Sequence, residues 1–208
     1  MATSRWAGIV LTGDAIADGL AQRLARSLGL DITPLEDAAD DAVLVVDSHA
    51  DFAARRDELL ERVAGGARLV LLEAAPGRYE LTGGPVEVVA CGMRGRLFAS
   101  RQTGHPLVEG FAPDDFKWWY HRGEDCVLPQ VPCCFPEAEG WQPILTTGQG
   151  DWGQTWQRAL VDGEYRHGQG SIVLSTLRLA DFVEAVPTAR RYAERLLRRY
   201  SKFQKNNL

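Results

Sequence analysis

Four short, mainly apolar runs separated by helical periods set the outline of this chain. Residues 7–11 (AGIVL), 42–46 (AVLVV), 68–72 (RLVLL) and 171–176 (SIVLST) have the length and β-branched content of buried strands. After the first run, Ile16, Leu20, Leu24 and Leu28 recur at the spacing of one helical face, with Asp14 as N-cap and Gly29 as the terminating glycine. A weaker strand is predicted at 31–35. A second helix over 51–64 turns Phe52, Leu59, Leu60 and Val63 inward and stops at Gly65-Gly66. Pro187 opens a last helix over 188–200, whose inner face is Ala189, Tyr192, Ala193, Leu196 and Leu197. Strands and helices alternating at this rhythm predict βαβ units, hence a parallel sheet with helices on both faces.

After Ala75-Pro76-Gly77 the rhythm changes. Residues 86–90 and 96–100 read as paired or edge strands linked through 92–95. Residues 111–150 are rich in Pro, Gly, Trp and Cys and predict a long ordered loop region with short strands, a kind of segment that tends to be functional or interfacial. The tail 201–208 is polar and predicted to fray. The division is therefore one domain over 1–200 with a short tail.

Composition narrows the functional classes. The 208 residues are 45% apolar and 25% charged, ordinary for a globular domain, and the net charge of −5 disfavours nucleic acid or an anionic membrane as partner. The basic residues of the last helix and tail read as a solvated face. No apolar run is long enough for a transmembrane span, and the N-terminus lacks the regions of a signal peptide. Four cysteines without Cys-x-x-Cys spacing, and four histidines without ligand spacing, predict reduced thiols in the cytoplasm and no metal site. Gly168-Gln169-Gly170 precedes a strand, and Thr12-Gly13-Asp14 lacks a phosphate-cradling composition, so no cofactor is predicted.

Three stretches carry a resemblance: HPLVEGFAPDDFKWWY at 105–120, GQGSIVLSTLRL at 168–179 and PTARRYAERLLRRY at 187–200. Together they resemble the class I glutamine amidotransferase-like (ThuA-like) domains found at the C-terminal side of bacterial beta-galactosidase-type glycoside hydrolases. The resemblance runs from residue 42 to about residue 200. It implies an α/β fold, a flavodoxin-like or class I amidotransferase-like three-layer sandwich with a mainly parallel central sheet.

In such folds a cysteine stands at a sharp strand-to-helix turn, with a histidine to take its proton and a carboxylate to orient that histidine. The implied turn here is Glu73-Ala74-Ala75-Pro76-Gly77, which holds neither Cys nor Ser, and Pro76 disfavours a helix directly behind it. A plain turn is predicted. Cys91 in VVACGMRG stands at a rival turn, but the residues after it read as a strand, and no His-x-Glu pair follows. The leading reading is a non-catalytic domain serving as a structural, oligomerisation or partner-binding unit in a carbohydrate-active system. It would assemble with itself, with a glycoside hydrolase subunit or with carbohydrate. One alternative is a small hydrolase or isomerase using Cys91 or the region of His105 and Asp114; another is a sugar-binding module.

The candidate binding residues are Trp118, Trp119, Tyr120, His121 and His105. Aromatics gather in the second half of the chain, with Trp141, Trp152 and Trp156 as further members. Their first reading is a core plug, followed by anchors of a protein interface and then a platform for the apolar face of a sugar. Trp118 and Trp119 are adjacent, so one is expected inward and the other partly exposed. His105 reads as a turn residue whose ring bonds backbone. Asp114 reads as the N-cap of a turn over 115–119, with an acid–base pairing with Asp115 as the rival use.

Overall fold

The computed structural model describes residues 9–11, 19–92, 95–101, 103–149 and 157–197. The chain opens with strand β1 (Ile9–Leu11), helix α1 (Leu20–Leu28) and strand β2 (Ile32–Thr33). Strand β3 (Val43–Val46), helix α2 (His49–Gly65) and strand β4 (Arg68–Leu71) follow. A hairpin, β5 (Gly77–Leu81) and β6 (Gly84–Ala90), leads to the two-residue strands β7 (Tyr120–His121) and β8 (Cys126–Val127). Then come β9 (Cys133–Pro136), β10 (Trp141–Gln149), β11 (Gln157–His167), β12 (Gly170–Ser175) and helix α3 (Pro187–Leu196).

The main sheet runs β2-β1-β3-β4-β12-β11-β9-β6-β5, with β10 also pairing β11. Its first half is parallel: β1 with β2 and β3, β3 with β4, and β4 with β12. Every residue of β3, β4 and β12 is buried, as expected of parallel strands covered on both faces. The neighbouring parallel pair predicted at 42–46 and 68–72 is present, in the register Val43↔Arg68 to Val46↔Leu71. Beyond β12 every pairing is antiparallel. The α/β class therefore holds, while the mainly parallel sheet expected from the resemblance is replaced by a mixed one.

Two apolar clusters lie on opposite faces of the sheet. One joins Leu24, Leu28, Val43, Val70, Val173, Phe182, Tyr192 and Leu196, so α1 and α3 cover that face. The other joins Leu44, Phe52, Leu59, Val63, Leu69 and Ile172 beneath α2, extended by Tyr79, Leu81, Val86 and Val88 of the β5–β6 hairpin. That hairpin alternates buried and exposed positions, the signature of strands covered on one side.

The helix ends follow local chemistry. Gly29 takes the left-handed conformation (φ 65°) that closes α1, and the Ser48 side chain accepts from the Asp51 N–H at the start of α2. The expected N-cap Asp14 and the last residues of the predicted C-terminal helix lie outside the described residues. Among the described residues no helix is long and apolar enough to cross a membrane.

Three expectations are corrected. The strand β6 pairs with β5 and β9, not with residues 96–100, which among the described residues make the single bridges Phe98↔Lys117 and Ser100↔Thr146. The Arg96 side chain donates to the Cys91 carbonyl at 2.8 Å. Residues 111–150 hold real strands, including the nine-residue β10, and the eleven-residue β11 was not foreseen. At the turn before Trp118 it is Asp115 whose carboxylate accepts from the Ala112 N–H, at 2.7 Å, while Asp114 pairs with Lys117.

Candidate functional site

The carboxyl ends of β3, β4 and β12 converge on a set of charged side chains. Ligand crevices of open α/β sheets lie at this end, because loops rather than packed helices face outward there. Asp47 follows β3, and its carboxylate accepts from the Ala21 N–H at 2.8 Å, satisfying a donor at the start of α1 that no side chain of α1's own N-cap satisfies. Asp181 accepts from Arg178 Nε at 2.9 Å and meets Arg23 at 3.5 Å.

Glu73 stands at the turn where the resemblance places a nucleophile. Its backbone is left-handed, φ 50°, a conformation uncommon for a residue with a side chain. The carboxylate accepts from the N–H groups of Leu179 and Ala180 at 2.8 and 2.7 Å, tying the end of β4 to the segment after β12. Burial pushes its pKa up to about 7, helped by the nearby Asp181 carboxylate and opposed by the two backbone donors and Arg178. The chain then turns into β5 at Gly77, so no helix backs the turn. A cavity of about 30 Å³ beside it, lined by Ser48, His49, Ala74 and Tyr79 among others, has room for a water but not for a sugar.

Trp118 and Trp119 lead into the β7–β8 hairpin, whose first strand is Tyr120 and His121. Trp118 is 59% exposed and also left-handed, φ 54°, whereas Trp119 is 3% exposed. The Trp119 indole N–H donates to the Asp115 carbonyl at 2.8 Å, and its ring packs 6.2 Å from Phe116 and 5.4 Å from Phe182. Tyr120 is exposed, pairs across the hairpin with exposed Val127, and its hydroxyl donates to Asp125. The His121 ring accepts from the Glu124 N–H at 3.1 Å and stands edge-on to Phe182 at 5.7 Å. Phe182 follows Asp181 directly, so the hairpin rests on the same segment that Glu73 holds.

His105 belongs elsewhere. It is buried, its Nδ1 accepts from the Leu107 N–H, and its Nε2 faces Glu164 Oε2 at 3.2 Å. Arg68, at the amino end of β4, lies 3.9 Å from the same carboxylate. The network therefore sits at the end of the sheet opposite Glu73. Burial would raise the Glu164 pKa, yet the His105 hydrogen bond and Arg68 hold it down at about 2.

Trp141 packs on Phe135 and Tyr165 in the α2-side core, so the aromatics are not one group; Trp152 and Trp156 lie outside the described residues. All four cysteines are free, with Cys91 buried. Among the described residues no cluster of His, Cys, Asp and Glu is suited to a metal ion.

The sequence places Glu73 in the turn after a buried strand but does not show its engagement with the segment after β12. A left-handed non-glycine residue bonded to backbone more than a hundred positions away leaves no local signal. The only available hint was position, since Glu73 directly follows a predicted buried strand.

No family model matches the chain, and no curated protein matches it. Among solved structures it is similar to a cytoplasmic protein of Salmonella typhimurium LT2, with a TM-score of 0.50 and 11% identity over 92% of this chain and 97% of that one. It is also similar to Agd3, a carbohydrate deacetylase, with a TM-score of 0.51 and 11% identity over 92% of this chain and 32% of that one. A beta-galactosidase from Rahnella sp. R3 matches with a TM-score of 0.49 and 13% identity over 92% of this chain and 32% of that one. The chain thus spans about a third of the two larger proteins and nearly all of the Salmonella protein. At these identities the likeness is one of fold.

Proposed function

We propose that this chain is a flavodoxin-like, class I amidotransferase-like domain of three layers that works by binding rather than by glutaminase chemistry. In this reading it is an assembly or partner-binding unit of a carbohydrate-active system, acting in the cytoplasm, where thiols rest in the reduced form. The observation that carries it is Glu73. At the position where the fold would present a thiolate, a carboxylate is engaged with two backbone amides. A carboxylate held in this way braces the loop after β12, and that loop supports the aromatic hairpin. The exposed Trp118 and Tyr120 then form the contact surface, since Trp and Tyr on a rigid support are effective binding anchors.

The carbohydrate context draws on the motif resemblance and on the fold shared with a carbohydrate deacetylase. A protein partner, a second copy included, is the first reading. The Tyr120–Asp125 pair, two residues along the chain from the exposed Trp118, favours a sugar as the second, because aromatic faces accompanied by hydrogen-bonding groups suit a pyranose. Light scattering of the wild type and of Trp118→Ala, alone and with galacto-oligosaccharide, tests both. Loss of self-association in the variant supports the protein partner, and a sugar-dependent calorimetric signal lost in the variant supports the second reading. Equal behaviour of the two proteins in every arm removes the platform as the site.

A further inference from the structure

Cys91 has a thiol neighbour. The β6–β9 ladder pairs Val89 with Cys134 and Ala90 with Cys133, and the Cys91 N–H continues it by donating to the Pro132 carbonyl at 2.9 Å. Side chains alternate along a strand, so Cys91 and Cys134 share one face, while Cys133 faces the other core. Both side chains enter the same buried cluster, where each thiol acts on the other. Gln149 Oε1 lies 3.5 Å from Cys134 Sγ and accepts from the Gly92 N–H at 2.8 Å, and Gln149 and Gly92 are both half-buried, so the pair lies one residue beneath the surface. Gly95 crosses directly over Cys91, with room for no side chain: a Cβ there would stand 2.6 Å from the sulfur.

The charge distribution separates the roles. The Cys134 thiol, and beyond it Arg96 and the Thr147 hydroxyl, favour thiolate on Cys91 and outweigh its burial; Cys134 is held protonated by the same contact and by its own burial. Residues 91 and 134 also bracket the insert that carries Trp118 and Tyr120.

We propose that Cys91 and Cys134 form a reversible dithiol–disulfide couple, oxidised by small hydroperoxides, at the base of this insert. The Cys91 thiolate attacks one peroxide oxygen, the O–O bond breaks, and the departing hydroxide (or alkoxide) takes up a proton, leaving a sulfenic acid. The Cys134 sulfur then attacks the Cys91 sulfur, its proton goes to the departing hydroxide, and water leaves as the S–S bond forms. Two thiols are oxidised and one peroxide is reduced. The inference is independent of the proposed binding role.

The test is native wild-type protein treated with one equivalent of hydrogen peroxide, quenched, unfolded, alkylated with iodoacetamide and mapped by peptide mass. The expected result is a cross-linked peptide pair joining Cys91 to Cys134, lighter by two hydrogen atoms and lost on dithiothreitol treatment, with Cys133 still alkylated. In Cys134→Ser, the Cys91 sulfenic acid persists and is trapped by dimedone. Should that variant not fold, Cys126→Ser, which alters an exposed residue of the hairpin, must still form the cross-link at the wild-type rate. Recovery of both Cys91 and Cys134 as alkylated thiols after excess peroxide overturns the proposal, as does consumption of the exposed Cys126 ahead of Cys91.

Discussion

Trp118 and Trp119 are consecutive and face opposite ways, the first 59% and the second 3% exposed. The left-handed backbone at Trp118 turns its ring outward, while Trp119 is fixed between Phe116 and Phe182 with its indole N–H bonded to a carbonyl. The two residues therefore answer differently to the same substitution. Trp119→Ala is expected to cost about 3–5 kcal/mol, the usual range for emptying a large aromatic site. Trp118→Ala should leave the thermal midpoint within a few degrees, and circular dichroism melts of the two variants check the contrast.

Glu73 makes stability depend on pH in a defined direction. Its folded pKa of about 7 lies above the ordinary 4.5, so the folded state holds the proton longer than the unfolded chain. The contribution is intact below about pH 4.5 and is lost as pH rises through about 7. Asp162, buried beneath the Tyr192 hydroxyl and raised by burial to about 6, acts in the same direction at lower pH. Glu73→Gln keeps an oxygen for the Leu179 and Ala180 donors and removes the titration. Its melting temperature at pH 8 should exceed that of the wild type by roughly 5–10 °C, corresponding to about 3 kcal/mol. An unchanged slope between pH 5 and 8 would show that Glu73 does not titrate there.

Glu164 has the opposite sign. Held down at about 2 by His105 and Arg68, it contributes stability above pH 4.5 that is lost as pH falls toward 2. His105→Ala removes one partner of a buried carboxylate and is expected to cost about 3 kcal/mol at neutral pH. The variant should lose stability on acidification from a higher pH than the wild type does. If His105 worked on a substrate instead, the variant would keep its melting temperature.

The parallel half of the fold was legible because β3, β4 and β12 are mainly apolar runs, buried along their length, and α2 buries Phe52, Leu59, Leu60 and Val63 at helical spacing. Of the antiparallel half, the strand at 86–90 was legible as β6, and β10 and β11 were not. The strand β11 carries Asp162 and Glu164 at buried positions, which read as solvent-facing until Tyr192, His105 and Arg68 are placed beside them. The strand β10 includes Pro143 and Gly148, and its register shifts between Pro143 and Thr146, so neither composition nor alternation marks it as a strand. Within the candidate site the clustering of Trp118 to His121 followed from chain adjacency. The separation of His105 from them, and the engagement of Glu73, depend on long-range pairing that no local pattern encodes.

The turn at Glu73 also makes a chemical prediction. With a carboxylate bonded to two amides at that position, the purified protein should release no ammonia from glutamine above the uncatalysed rate, and Cys91→Ala should behave identically. Ammonia release by the wild type that disappears in Cys91→Ala would move the catalytic turn to Cys91.

The central claim, that the domain acts by binding through the aromatic hairpin, is tested most directly by light scattering over a concentration series of wild type and Trp118→Ala, repeated with galacto-oligosaccharide. The account predicts melting temperatures within a few degrees of each other for the two proteins and an association, with itself or with the sugar, that the substitution weakens by at least about 1 kcal/mol, roughly fivefold in dissociation constant. Identical masses and identical sugar responses for the two proteins at every concentration would contradict it.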